Sequence, residues 1–267
     1  MLSRFFSPLA LLLTLSTLPF ASAQSAQAKV LVFGGTGMLG YEIVKALKDQ
    51  GQDVTVLVRA TSNVSDLDKI DVPHVVGDVL DADSLHRVFK EGNYDTVVSS
   101  ISRSGAFGSA QEGVTIHRTG NNAITAAALL GGVKQLILMG TVGAGNSAGT
   151  LGERQRTSFK QIYADKTSAE NFLRASGLTY TIVRTGIILT DKPTGTVELT
   201  EDRTLRHAAN VFDFSAMTAA CVDNPDCANK TFHTYDPAIP PLNRADMIRA
   251  FEGLQAFEDK RRGKKAE

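Results

Sequence analysis

The stretch Gly34-Gly35-Thr36-Gly37-Met38-Leu39-Gly40 is the first part of this chain whose residue types and spacing could do chemistry. It follows a short apolar run at 30–33 and opens an amphipathic segment at 41–50. Glycines there permit a tight turn and let the backbone approach a pyrophosphate. The helix beyond them points its free N–H groups and positive dipole end at the phosphates. Gly34 would permit the turn, Gly37 the close approach, and Gly40 the packing of helix on strand. A second apolar run, 54–58, comes about 20 residues later, as a dinucleotide site requires. It ends in Arg59 with no acid beside it. An acid would hold the 2′-hydroxyl of NAD, whereas a guanidinium suits a 2′-phosphate, so NADP(H) is expected over NAD(H). Asp78, after a third run at 74–76, is placed to accept from an adenine amino group, with Val79 beside the ring. Ser99-Ser100-Ile101 closes a fourth run, 96–99, at the carboxyl edge of the sheet, where ligands bind.

The elements that must hold these residues alternate. A helix is expected after Asp81, which reads as its cap. Further helices are expected at 114–130 and 158–176, and further strands at 135–139 and 180–183. Such alternation means an α/β protein with a doubly wound parallel sheet, the Rossmann arrangement. Past Gly186 the pattern weakens. Residues 191–214 are polar and irregular, and 194–206 read equally as a lid or a surface loop. Helical patterning returns at 215–222 and 244–257, with a last strand at 231–235. The expected organisation is a leader at 1–23, an NAD(P)-binding core at 24–190, a small C-terminal substrate-pocket region at 191–258, and a solvated charged tail at 259–267.

The chain has 267 residues, 43% of them hydrophobic, with 28 Lys plus Arg against 28 Asp plus Glu. That suits one large domain and argues against a dedicated nucleic-acid binder. Two Cys, and 5 His without paired spacing, point to no metal site. Arg4, an uncharged run at 5–20 and Ala21-Ser22-Ala23 form the three parts of a secretory signal peptide, and the run is shorter than a membrane span of ~20 residues. Export with cleavage after Ala23 is expected, with an uncleaved anchor as the alternative. Cys221 and Cys227 flank the turn-forming Asn224-Pro225. They either close into a disulfide in an oxidising compartment, or one is buried and the other incidental.

With the glycine turn, Arg59, Gly77-Asp78-Val79 and Ser99-Ser100-Ile101, the chain resembles the atypical short-chain dehydrogenase/reductases, in their NmrA-like, NAD(P)H-binding branch. Lys166-Thr167-Ser168-Ala169-Glu170, the stretch from Ser176 to Arg184, and Asn229-Lys230-Thr231-Phe232 extend the resemblance over about 29–236. It implies a Rossmann domain holding NADP(H), among reductases, epimerases, dehydratases and members that bind the dinucleotide without turnover.

It also implies a catalytic group. Lys166 matches the lysine that holds the nicotinamide ribose and lowers the pKa of a tyrosine acid. Ile162, not a tyrosine, stands four residues before it. Tyr163 is the neighbouring candidate, rotated by about 100° around the helix. Thr141, in Met139-Gly140-Thr141-Val142-Gly143, matches the residue that orients a substrate oxygen, or simply caps a strand end. Arg184 falls near the nicotinamide half of the crevice, in Arg184-Thr185-Gly186 where the family has Arg-Pro-Gly.

Three readings remain open: an NADP-dependent oxidoreductase on a small organic substrate, a non-catalytic dinucleotide-binding sensor or assembly factor, and an exported Rossmann protein that has lost its cofactor.

Overall fold

A computed structural model describes residues 27–102, 115–205 and 208–263. The leader at 1–23 lies outside them. Strand β1 (Lys29–Phe33) is buried from Val30 to Phe33. A central parallel strand is covered on both faces, which is why it reads as an unbroken apolar run. Helix α1 (Met38–Asp49), β2 (Asp53–Val58), the short α2 (Ser65–Asp68), β3 (His74–Val76), α3 (Ala82–Gly92) and β4 (Thr96–Ser99) follow. Asp81 caps α3, its carboxylate accepting from the N–H groups of Asp83 and Ser84 at 3.0 and 3.1 Å. A π-helical turn, Ile116–Gly120, leads into α4 (Asn121–Leu130), then β5 (Gln135–Thr141), α5 (Glu153–Ser158), α6 (Lys160–Ala175) and β6 (Thr179–Thr185). The C-terminal part holds β7 (Ile187–Leu189), β8 (Glu198–Thr200), β9 (Ala208–Asn210), α7 (Val211–Ala219), β10 (Lys230–Tyr235) and α8 (Arg244–Arg261).

The described residues form an eight-stranded sheet in the order β3-β2-β1-β4-β5-β6-β10-β8, parallel except for β8, with β7 and β9 as a separate pair. Alternation within β1 splits the core into two layers. Val30 and Val32 pack with Ile43, Val44 and Phe214 under α1 and α7; Leu31 and Phe33 pack with Leu85, Ile124 and Leu173 under α3, α4 and α6. Strand order reverses between β1 and β4, so the crevice above their carboxyl ends is the switch point at which such sheets bind ligands.

Several expectations change. The helix read over 158–176 breaks at Phe159, whose φ of −119° and ψ of 21° are not helical. The segment read as a lid or loop is pinned. The Asp213 carboxylate accepts from the N–H groups of Thr194 and Gly195 at 2.7 and 3.1 Å. That of Asp236 accepts from the Thr194 and Thr196 hydroxyls at 2.6 and 2.7 Å. Beyond them β8 joins β10 as an antiparallel edge strand. The last helix runs past Phe257 to Arg261, so the expected solvated tail at 259–267 is corrected in its first part. Asp259, Lys260 and Arg261 are helical, and the Arg261 side chain, only 11% exposed, is ion-paired with Asp66 at 2.9 Å. Among the described residues no helix is long and apolar enough to cross a membrane, and no cluster of His, Cys, Asp or Glu could hold a metal ion.

Cys221 and Cys227 are joined by a disulfide. Asn224 folds the intervening turn by accepting from the Asp226 N–H at 2.9 Å. Gln135 donates to the Cys221 carbonyl at 2.8 Å, and the Thr181 hydroxyl to the Cys227 carbonyl at 2.9 Å. Because Gln135 begins β5, the bridge lies at the opposite edge of the sheet from the glycine turn. Changing both cysteines to serine should therefore lower unfolding free energy by about 2 kcal/mol in urea denaturation, as expected for a loop of this length, and leave ligand affinity unchanged.

Candidate functional site

Gly34 ends β1 with φ at +82°, in the left-handed region. A Cβ on it would lie 2.8 Å from the Ser100 carbonyl oxygen. One on Gly35 would lie 2.7 Å from Val56 Cγ1, and one on Gly40 only 2.1 Å from the Gly34 carbonyl oxygen and 2.5 Å from Ser100 Oγ. The turn is thus pressed onto the ends of β2 and β4, and only glycine fits at these positions. The Gly37 N–H donates to the Gly34 carbonyl at 3.0 Å, and the Gly37 carbonyl accepts the first helical bond, from Tyr41, at 2.8 Å. No side chain caps α1 and no acid occupies its first turn. The N–H groups of Met38, Leu39 and Gly40 therefore lack helical acceptors at the positive end of the dipole, which makes an anion cradle.

Of the flanking residues, Ser100 borders this cradle. The Ser100 N–H and hydroxyl both donate to the Phe33 carbonyl, at 3.0 and 3.2 Å. Val79 and Ile101 meet across Gly120, where a Cβ would lie 3.2 Å from Val79 Cγ2 and 3.0 Å from Ile101 Cδ1. Asp78 is exposed, with Oδ1 accepting from the Leu80 N–H at 2.9 Å. Arg59 is exposed at the end of β2, in a turn closed by Ser62, whose hydroxyl accepts from the Arg59 N–H at 3.1 Å and whose own N–H donates back to the Arg59 carbonyl at 2.9 Å. Among the described residues no carboxylate pairs with the Arg59 guanidinium.

A second group gathers at the carboxyl end of β5. The Lys166 amine donates to the Met139 carbonyl at 3.1 Å. The residue is part-buried, and burial of its amine pulls its pKa from 10.5 down to about 8, against the opposing pull of Glu170 one helical turn away. Thr141 ends β5 and its hydroxyl makes long contacts, 3.3 Å to the Val142 carbonyl and 3.5 Å to that of Thr185. The Tyr163 ring lies against Gly143, where a Cβ would come within 2.9 Å of Cε1, and stands edge-on to Phe159 at 6.1 Å. Helix α6 thus brings Lys166 and Tyr163 to the strand end that carries Thr141, with the tyrosine ring used in packing.

Arg184, expected near the nicotinamide half of the crevice, has its guanidinium engaged within the protein. It is fully buried, and its Nε and Nη2 donate to the two oxygens of Glu170 at 3.0 and 2.5 Å. Its Nη1 donates to Asn146 at 2.9 Å. Its strand position turns it toward α6, where it supplies the counter-charge that the buried Glu170 carboxylate needs. Glu170 also accepts from Arg174 at 3.1 Å, and Thr167 accepts from the Gly145 N–H at 2.7 Å, so α6 fixes the loop after β5. Sequence reasoning missed this role of Glu170, although its place four residues after Lys166 puts both on one helical face. It also missed Asn121, which accepts from the Ser99 hydroxyl at 2.6 Å and ties α4 to the end of β4.

A family model described as NAD(P)H-binding matches residues 34–225. YhfK of Bacillus subtilis (strain 168), named as an uncharacterized sugar epimerase, is 24% identical over 213 residues, which is 79% of this chain and 96% of that protein. Among solved structures, ChuY, an anaerobillin reductase from Escherichia coli O157:H7, aligns with a TM-score of 0.68 at 23% identity, over 80% of this chain and 99% of its own. A wide-type short-chain dehydrogenase/reductase from Veillonella parvula DSM 2008, solved with NADP, aligns with a TM-score of 0.62 at 15% identity, over 79% and 95%. At these identities the structural likeness speaks for the fold. The glycine cradle at the switch point and the match that begins at its first residue lead to one conclusion: the chain belongs to the NAD(P)H-binding, Rossmann-fold family akin to the atypical short-chain dehydrogenase/reductases.

Proposed function

We propose that the protein is an NADP(H)-dependent oxidoreductase acting on a small organic substrate. The observation that carries this reading is the uncapped N-terminus of α1 at the glycine turn, together with Arg59 at the end of β2, which no carboxylate among the described residues neutralises. The dinucleotide, when bound, supplies the hydride chemistry. The chain supplies the cradle for the pyrophosphate, Arg59 for the 2′-phosphate, Asp78, Val79 and Ile101 around the adenine, and the Lys166 amine for the nicotinamide ribose. Thr141 stands where a substrate oxygen would be oriented. The names of YhfK and ChuY, an epimerase and a reductase, support the class of activity. The disulfide and the leader read at 1–23 support residence in an oxidising compartment.

Arg59→Ala should weaken NADPH binding by about tenfold or more, the loss of roughly one charge-assisted contact, and leave NADH within about twofold. Isothermal titration with both nucleotides checks this; an equal loss for both would remove Arg59 from the site. A second reading, a dinucleotide-binding protein without turnover, is favoured by Ile162 in place of the tyrosine acid and by the packed ring of Tyr163. A screen of small carbonyl compounds, followed by nicotinamide absorbance, separates the two. Turnover supports the oxidoreductase, and NADPH binding with no turnover across the panel supports the sensor or assembly factor.

A further inference from the structure

Helix α8 begins with a capping box, in which Asn243 accepts from the Asp246 N–H and the Asp246 carboxylate accepts from the Asn243 N–H, both at 3.0 Å. Its length, about 27 Å at 1.5 Å per residue, carries it away from the β7 region. There Gly253 faces Thr190 Oγ1 at 3.5 Å from a Cβ position. Further along, Phe257 meets Phe212 of α7 edge-on at 6.0 Å. The helix ends at the glycine turn. Arg261 Nη2 donates to the Thr36 carbonyl at 2.9 Å, and Nη1 donates to Asp66 Oδ2 at 2.9 Å. Glu258 accepts from its Nε and Nη2 at 3.1 and 3.0 Å, and the guanidinium stands 5.5 Å from the centre of the Tyr41 ring. Lys69 holds the other oxygen of Asp66 at 2.9 Å.

The two ends of this clip lie on the two segments a dinucleotide must span. Thr36 belongs to the turn that would hold the pyrophosphate. Asp66 belongs to α2, directly after the Arg59–Ser62 turn that would hold the phosphorylated ribose. We propose that Arg261 is a positioning residue for the dinucleotide: it sets the spacing between the glycine turn and the segment after β2, and so makes the C-terminal helix part of the cofactor site. This rests on the dinucleotide reading above. The charge of Arg261 is already neutralised by Asp66 and Glu258, so it acts through the turn and not as a phosphate ligand. Its loss falls on both NADPH and NADH, because the pyrophosphate over the Thr36 turn is common to the two.

The test compares the full-length wild type with Arg261→Ala, Arg261→Lys, Asp66→Ala and the Arg261→Ala/Asp66→Ala double variant. Each is titrated with NADPH and with NADH, and each ligand-free thermal midpoint is recorded. Arg261→Ala should bind both nucleotides about tenfold more weakly. The lysine variant, which can reach one acceptor but not both, should fall in between. The double variant should bind no more weakly than Arg261→Ala, because both substitutions break one contact. Midpoints should stay within a few degrees. Affinities of Arg261→Ala within about twofold of wild type, a loss confined to NADPH, or losses that multiply in the double variant would overturn the proposal while leaving the dinucleotide reading intact. A wild type that binds neither nucleotide overturns both.

Discussion

Arg184→Met is expected to lower unfolding free energy by about 3–5 kcal/mol, the usual result of stranding one partner of a buried ion pair. Glu170 and Arg184 are both fully buried, and the fork of the guanidinium meets both carboxylate oxygens. Without it, Glu170 keeps Arg174, which is 28% exposed, and the more distant charge of Lys166, so the loss should fall toward the lower end of that range. Adding Glu170→Gln removes the stranded charge and should recover about 1 kcal/mol or more, a coupling that urea denaturation of the four-member cycle would reveal. The single variant should melt about 10 °C below wild type. Stability unchanged to within about 0.5 kcal/mol, together with lost nucleotide affinity, would return Arg184 to the cofactor crevice.

Lys166→Met should weaken NADPH binding by about tenfold or more, yet leave the ligand-free protein no less stable at neutral pH. Burial disfavours the charged amine, so its folded pKa lies near 8, below the ordinary 10.5. Below pH 8 the amine is charged in both states and the burial penalty, on the order of 1–3 kcal/mol, is fully present. Between about 8 and 10.5 the folded protein releases its proton while the unfolded chain keeps it, so this contribution favours folding progressively as pH rises. The methionine variant has no amine and should lack that pH dependence. Wild-type affinity for NADPH should also fall as pH rises through about 8, where the donor loses its charge, and the variant's should not. Thermal melts and titrations between pH 6.5 and 10, roughly that window, check both. A midpoint collapse in Lys166→Met with no specific ligand effect would make the lysine structural.

What was legible in the sequence is what depends on neighbours along the chain. The glycine turn could be read because strand, turn and helix follow one another, whereas the approach of Gly34 and Gly40 to Ser100 comes only from the pairing of β1 with β4. Strand β1 was readable because burial on both faces makes Val30 to Phe33 an unbroken apolar run. Arg184 could not be placed, because its partner lies on a separate element and is met only when α6 packs on the sheet. The strands β7, β8 and β9 span three residues each, too few to show a period. The end of α8 looked like a solvated tail because its charges are satisfied by Asp66 and Thr36, residues far away in the chain.

Calorimetric titration of the wild-type protein with NADPH and with NADH tests whether the glycine turn holds a dinucleotide. Both nucleotides should bind, through the shared pyrophosphate cradle, and NADPH about tenfold or more tightly through Arg59. Binding of neither nucleotide would contradict this, and would leave the helix N-terminus at the glycine turn in need of another ligand.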